Sequence, residues 1–188
     1  MKQLSNALGL LLLTTLLAAA PIAQAEDYLV EVVFFGQPSS PLVQGTPPDL
    51  DWSADAVDLT TTARADVRSI DKTRYQLDSQ VRKLEQSGYE IYLHQAWSQP
   101  LDNDLVVALH RGQADNGIYP VQGLVRLSQD NLTELQVAFW RNRPAAGLGI
   151  QTSSSVVSEQ LHQTRALRPN EVHYLDHQSL GMLVTIRR

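Results

Sequence analysis

Cysteine is absent from all 188 residues. That excludes a disulfide framework, a thiol nucleophile, thiolate metal sites and a lipid-modified N-terminal cysteine. Positive charge is also scarce. Fifteen Lys and Arg face twenty Asp and Glu, for a net charge of −5. No basic cluster stands out, so nucleic acid and anionic membrane surfaces are poor partners. Aromatic residues make up only 6% of the chain, so each ring can be traced individually. No internal repeat is visible, and no serine lies in a nucleophile-elbow sequence. Gly147-Leu148-Gly149 has neither a P-loop lysine nor a following helix and does not point to phosphate.

The first 25 residues read as a leader. Lys2 is followed by an apolar run at 8–20, too short to span a bilayer comfortably, which takes roughly 20 residues. Ala23-Gln24-Ala25 supplies a small-x-small cleavage pattern, placing the mature start at Glu26. A single periplasmic domain is expected over 26–188, with no membrane span and a net charge of −6 once Lys2 is gone. A domain of this size buries roughly 70% of its unfolded surface and needs no covalent staples.

Residues 28–36 (YLVEVVFFG) are β-branched, aromatic and almost continuously apolar, which suits a central strand buried on both faces. Residues 37–68 change character: Pro38, Pro41, Pro47 and Pro48 stand among acids and hydroxyls, predicting a long Pro-rich acidic loop. Trp52 is expected to tuck that loop onto the domain. Residues 73–88 predict the main helix, with Leu77, Val81 and Leu84 on one face. Thr73 and Gln76 fit a capping box, and Gly88 a left-handed C-terminal cap. In residues 89–99 the period is two: Tyr89, Ile91, Leu93 and Trp97 on one side, Tyr92, His94 and Ala96 on the other. Strand, helix and strand then make a β-α-β unit, parallel if the two strands are neighbours. The rest reads as strands, giving an α+β fold: a mostly antiparallel sheet of about seven to eight strands with one helix packed on a face.

Two turns allow a register to be argued. A three-residue loop at 129–131 sets Val125 opposite Leu135 and Arg126 opposite Glu134, with Asn131 left-handed. Around Pro169, a four-residue loop at 168–171 predicts Leu167 opposite Val172.

The last 26 residues hold Arg165, Arg168, Glu171, His173, Tyr174, Asp176 and His177, more polar chemistry than a plain hairpin needs. On a helix, His173 and His177 would meet at one metal ion. On a strand they stand roughly 13 Å apart, too far for shared coordination. The flanking residues predict a strand, so neither a metal nor another cofactor is expected.

The block Glu171-Val172-His173-Tyr174-Leu175-Asp176-His177, with Leu180-Gly181 and an apolar strand after it, resembles the C-terminal signature of the CsiV family. The first strand at 30–35, the LHQAWSQP run at 93–100 and Thr164-Arg165 match in the same order. Two features depart from the family pattern. Gln178 stands where proline is usual, and Arg168-Pro169-Asn170 replaces a basic, glycine-containing turn. The resemblance implies a non-enzymatic periplasmic protein that binds peptidoglycan and supports cell-wall synthesis and cell shape. It also implies as partners a bifunctional penicillin-binding protein and its lipoprotein activator. Saccharide sites combine a ring for the sugar face with polar groups for hydroxyls. Trp97, Gln99, Arg165, Glu171, His173, Tyr174, Asp176 and His177 form the candidate set, provided that the last hairpin lies beside the strand at 93–99. An adaptor that docks the synthase without touching glycan is the second reading, and a metal-dependent hydrolase the third.

Overall fold

The computed structural model describes residues 27–150, 152 and 154–188, so the leader expected at 1–25 lies outside the described residues. The elements are β1 (Asp27–Gly36), β2 (Val57–Asp58), β3 (Arg68–Ser69), α1 (Asp78–Gln86), β4 (Glu90–Pro100), β5 (Val106–Arg111), β6 (Val121–Gln129), β7 (Thr133–Pro144), β8 (Val156–Leu167), β9 (Val172–His177) and β10 (Leu180–Arg187). Eight of these strands have six or more residues, and only β2 with β5 is parallel, so the α+β class and the antiparallel bias hold. The strands are divided between two sheets, ordered β3-β4-β1-β10-β9 and β2-β5-β6-β7-β8. Two sheets are needed because each has an apolar face to cover, and here each covers the other.

The shared core draws Val30, Val32 and Phe34 from β1 and Met182, Val184 and Ile186 from β10. Val125 and Leu127 of β6 and Leu135, Val137 and Phe139 of β7 complete it. The Phe34 and Phe139 rings sit 5.2 Å apart across the layers. On the outer side of the first sheet, Leu77 at the start of α1 packs with Val33 and Phe35, and Val81 and Leu84 lie alongside. β1 is therefore central and buried on both faces, as its composition predicts.

The parallel β-α-β expectation fails: β1 and β4 are neighbours, but antiparallel. The reason lies in the Pro-rich stretch, which travels the length of the molecule through β2 and β3 before α1 begins. Glu31 meets the start of α1, and Pro38 meets Gly88 at its end, so helix and β1 point the same way. The loop has already made the return journey, and β4 must run back.

The helix is shorter than the sequence predicts. Lys72–Arg74 is a separate 3-10 turn capped by Asp71, and the Thr73–Gln76 box does not form. Instead Glu31, reaching across from β1, accepts the amides of Gln76 (2.8 Å) and Leu77 (2.9 Å). Gly88 is left-handed (φ +84°), as expected of a helix end. Along β4 the two-residue alternation breaks at a bulge. Ile91 pairs with Phe35 and Leu93 with Phe34, leaving Tyr92 as the extra residue. Tyr92 and Leu93 both join the inner core with Trp97, while Tyr89 and Ile91 stay on the outer face.

Both register expectations are corrected. The β6–β7 loop has three residues but spans 130–132, so Leu127 faces Leu135 and Val125 faces Val137. Arg126 faces Gln136, not Glu134, and Asn131 is not left-handed. Leucine against leucine in the core outweighs an exposed charge pair worth roughly 0.2–1 kcal/mol. Leu167 does not close on Val172 either: it pairs with Thr133, and Val172 pairs with Thr185. Residues 168–171 carry the chain from one sheet to the other, with Asn170 at φ +65° donating its amide to Ile186 O (2.8 Å).

Candidate functional site

β9 is an edge strand of the first sheet and β8 an edge strand of the second. The edges lie side by side, the Gln163 side-chain amide donating to the Asp176 backbone carbonyl between them. β9 runs extended, as its flanks predict, so His173 and His177 stand four strand positions apart. The Arg168 amide donates to His173 Nε2 (3.0 Å), which ties the ring to the sheet crossing. Glu171 pairs loosely with Arg168 at 3.8 Å, and Arg165, Asp176 and His177 are exposed. Among the described residues no three His, Cys, Asp or Glu side chains converge as a metal would require.

The condition that joined these residues to β4 is not met. β1 and β10 lie between β4 and β9, a separation of three strand spacings, roughly 14 Å. Trp97 is 0% exposed in the core, and its indole N–H donates to Gln99 Oε1 (2.7 Å). Gln99 is also fully buried. Neither side chain offers surface to a ligand in this fold, so the eight candidates do not form one cluster.

What the tertiary structure assembles instead begins at Tyr174. This residue is 45% exposed on the outer face of β9. Its ring stacks on Phe35 with centroids 6.2 Å apart and planes at 14°. Phe35 in turn meets Tyr89 edge-on at 5.4 Å. The row exists because Gly181 stands between β1 and β9: a Cβ there would lie 2.5 Å from the Phe35 ring. Burial pushes the Tyr174 hydroxyl pKa up, so the phenol stays neutral at ordinary pH.

Next to Tyr89 the row reaches the mouth of the sandwich. The core-facing row of β7 runs Leu135, Val137, Phe139 and then continues as Arg141 and Arg143. The core-facing row of β5 likewise ends in Arg111 after Val107 and Leu109. These arginines, with Tyr92 and Pro120, line a groove of about 370 Å³. Arg141 is held on both sides, by Glu90 (3.1 Å) and the buried Glu159 (3.5 Å), with its guanidinium 4.2 Å over the Tyr92 ring. Ser179 donates to the other Glu159 oxygen (2.6 Å), anchoring the network to the β9–β10 turn. Arg111 donates to the carbonyls of Tyr92 (2.8 Å) and Ile91 (3.3 Å) across the gap between sheets. Burial pushes the Tyr92 hydroxyl up to about 12.

Sequence reasoning placed Tyr174 in the candidate set but missed Phe35, Tyr89, Arg111, Arg141 and Arg143. One signal was present: an apolar period-two row that turns to arginine without leaving its face.

A two-sheet sandwich with a surface aromatic row opening onto an arginine-lined mouth has the build of a ligand-binding module. The chain belongs to the CsiV family: the model of that family, described as "Peptidoglycan-binding protein, CsiV", matches residues 6–188. No curated protein and no solved structure matches it. Among the described residues no helix is long and apolar enough to cross a membrane.

Proposed function

We propose that this is a non-enzymatic periplasmic protein that holds peptidoglycan and supports cell-wall synthesis and cell shape, reaching its compartment through the leader at 1–25. Membership of a peptidoglycan-binding family across essentially the whole chain carries this reading. The surface chemistry supports it. Tyr174, backed by Phe35, offers a rigid ring of the kind that receives the apolar face of a sugar, at little entropic cost because the stack already holds it. Asp176 and His177 follow on the same edge strand, with hydrogen-bonding groups for hydroxyls. Trp97 and Gln99 drop out of the contact set; Arg165, Glu171 and His173 flank it.

Binding of residues 26–188 to intact sacculi is the test. The purified, folded protein is expected to sediment with sacculi at moderate salt, and a supernatant that retains all of it counts against the proposal. The same reading extends to a bifunctional penicillin-binding protein and its lipoprotein activator as partners. Exposed Val172 (47%) beside Tyr174 on an edge strand favours a protein contact there. Capture of the activator by sacculus-free protein, abolished by Val172→Asp, is the expected result.

A further inference from the structure

The arginines at the sandwich mouth are hard to explain as packing. They occupy core-facing positions: Arg141 and Arg143 are half-buried, where a cation is costly unless paired, and Arg111 is exposed at the rim. Arg141 is paired twice, and Arg111 is held by two carbonyls. Arg143 is half-buried two residues along the same face, and its guanidinium makes no hydrogen bond or ion pair among the described residues. The groove thus brings together three guanidinium groups and the carboxylate of Glu90 in a chain of net charge −5, and two of the three, Arg111 and Arg141, are anchored before any ligand arrives.

Guanidinium groups recognise carboxylates through paired, charge-assisted hydrogen bonds. The glycan strands of peptidoglycan offer hydroxyls and amides to such a groove, whereas the short stem peptides that hang from them carry free carboxylates. Pro120, Val121 and Gly112 give the groove a small apolar wall, suited to alanyl methyl groups. Building on the peptidoglycan reading above, we propose that this groove binds a carboxylate of the stem peptide, with Arg143 making the new ion pair and Arg111 and Arg141 shaping the site. The aromatic row ends at Tyr89, whose neighbour Glu90 is bonded to Arg141, so sugar and peptide can be held on one continuous surface.

The experiment compares three ligands: intact sacculi, a soluble disaccharide tetrapeptide with its carboxylates amidated, and the same compound with them free. Wild type is expected to bind the first and third, and the amidated compound at least about tenfold more weakly. A charge-assisted hydrogen bond of roughly 1.5–3 kcal/mol corresponds to about ten- to a hundredfold in affinity. Arg143→Glu should therefore lose about tenfold or more for the tetrapeptide ligand, with an unchanged melting curve, and Arg143→Lys should recover part of it. Should Arg143→Glu fold poorly, a tetrapeptide with its carboxylates amidated puts the same question to the wild type. Equal affinity for amidated and free peptide overturns this assignment and leaves peptidoglycan binding standing. No binding to sacculi at all removes the broader reading, and this one with it.

Discussion

Glu31 Oε1 and His94 Nε2 lie 2.8 Å apart at the point where the helix begins. The carboxylate is 2% exposed and also accepts the Gln76 and Leu77 amides, so a strand residue serves as the cap that the helix lacks. Burial by itself would raise the Glu31 pKa. The hydrogen bonds from His94, Gln76 and Leu77 outweigh it and hold the group below its usual value of 4.5. A lowered folded-state pKa contributes stability that is present above the unfolded value and lost as pH falls through the folded one. Glu31→Gln is expected to cost on the order of 1.5–3 kcal/mol at neutral pH. It should also flatten the decline of stability below about pH 4.5. Urea unfolding from pH 3 to 7 reads both, and an unchanged acid slope would show that Glu31 is not the group responsible.

Tyr174 and Trp97 should behave in opposite ways. Tyr174→Ala removes an exposed ring and is expected to weaken sacculus binding several-fold, with little change in melting temperature. Trp97→Ala empties a core site and should cost roughly 3–5 kcal/mol. At temperatures where it remains folded, it should bind as wild type does. Binding lost in Trp97→Ala but kept in Tyr174→Ala would reverse the assignment.

Gly181 links packing to the site. A methyl group there meets the Phe35 ring at 2.5 Å, so either the ring or the strand must move. Gly181→Ala is expected to destabilise by roughly 1–3 kcal/mol. Because Phe35 supports Tyr174, it should weaken sacculus binding as well. Near-UV circular dichroism beside sedimentation checks the pair of effects; full binding with altered aromatic signals would separate them.

The Pro-rich stretch is held at several points, and His110 is one of them. His110 Nε2 lies 3.2 Å from Asp58 Oδ2 and 2.9 Å from Thr60 Oγ1, and its ring stacks on Tyr119 at 3.9 Å. Trp52 meets the same tyrosine edge-on at 6.4 Å, which is the tuck expected of it. His110→Ala should expose residues 37–66 to limited proteolysis while sparing sacculus binding. Cleavage no faster than in wild type would mean that other contacts hold the loop.

Local chemistry made much of the fold legible. Residues 28–36 declared a doubly buried strand because nearly every side chain in them is apolar, and Gly88 declared a helix end because few other residues tolerate its backbone angle. β9 declared itself extended, which kept its histidines apart. Direction and partnership were not legible in the same way. Whether β4 runs with β1 or against it depended on how far the Pro-rich loop travelled, and no residue in either strand records that distance.

The site divides along the same line. The sequence determined that Tyr174 sits on a polar, exposed strand, and that arginines follow apolar rows in β5 and β7, since alternation fixes which face a residue occupies. Only the tertiary structure decided that Gly181 lets Phe35 reach Tyr174, that Trp97 is sealed inside, and that Arg111, Arg141 and Arg143 share one opening. Those outcomes depend on contacts between strands far apart in the chain, and such contacts are set by which sheet each strand joins.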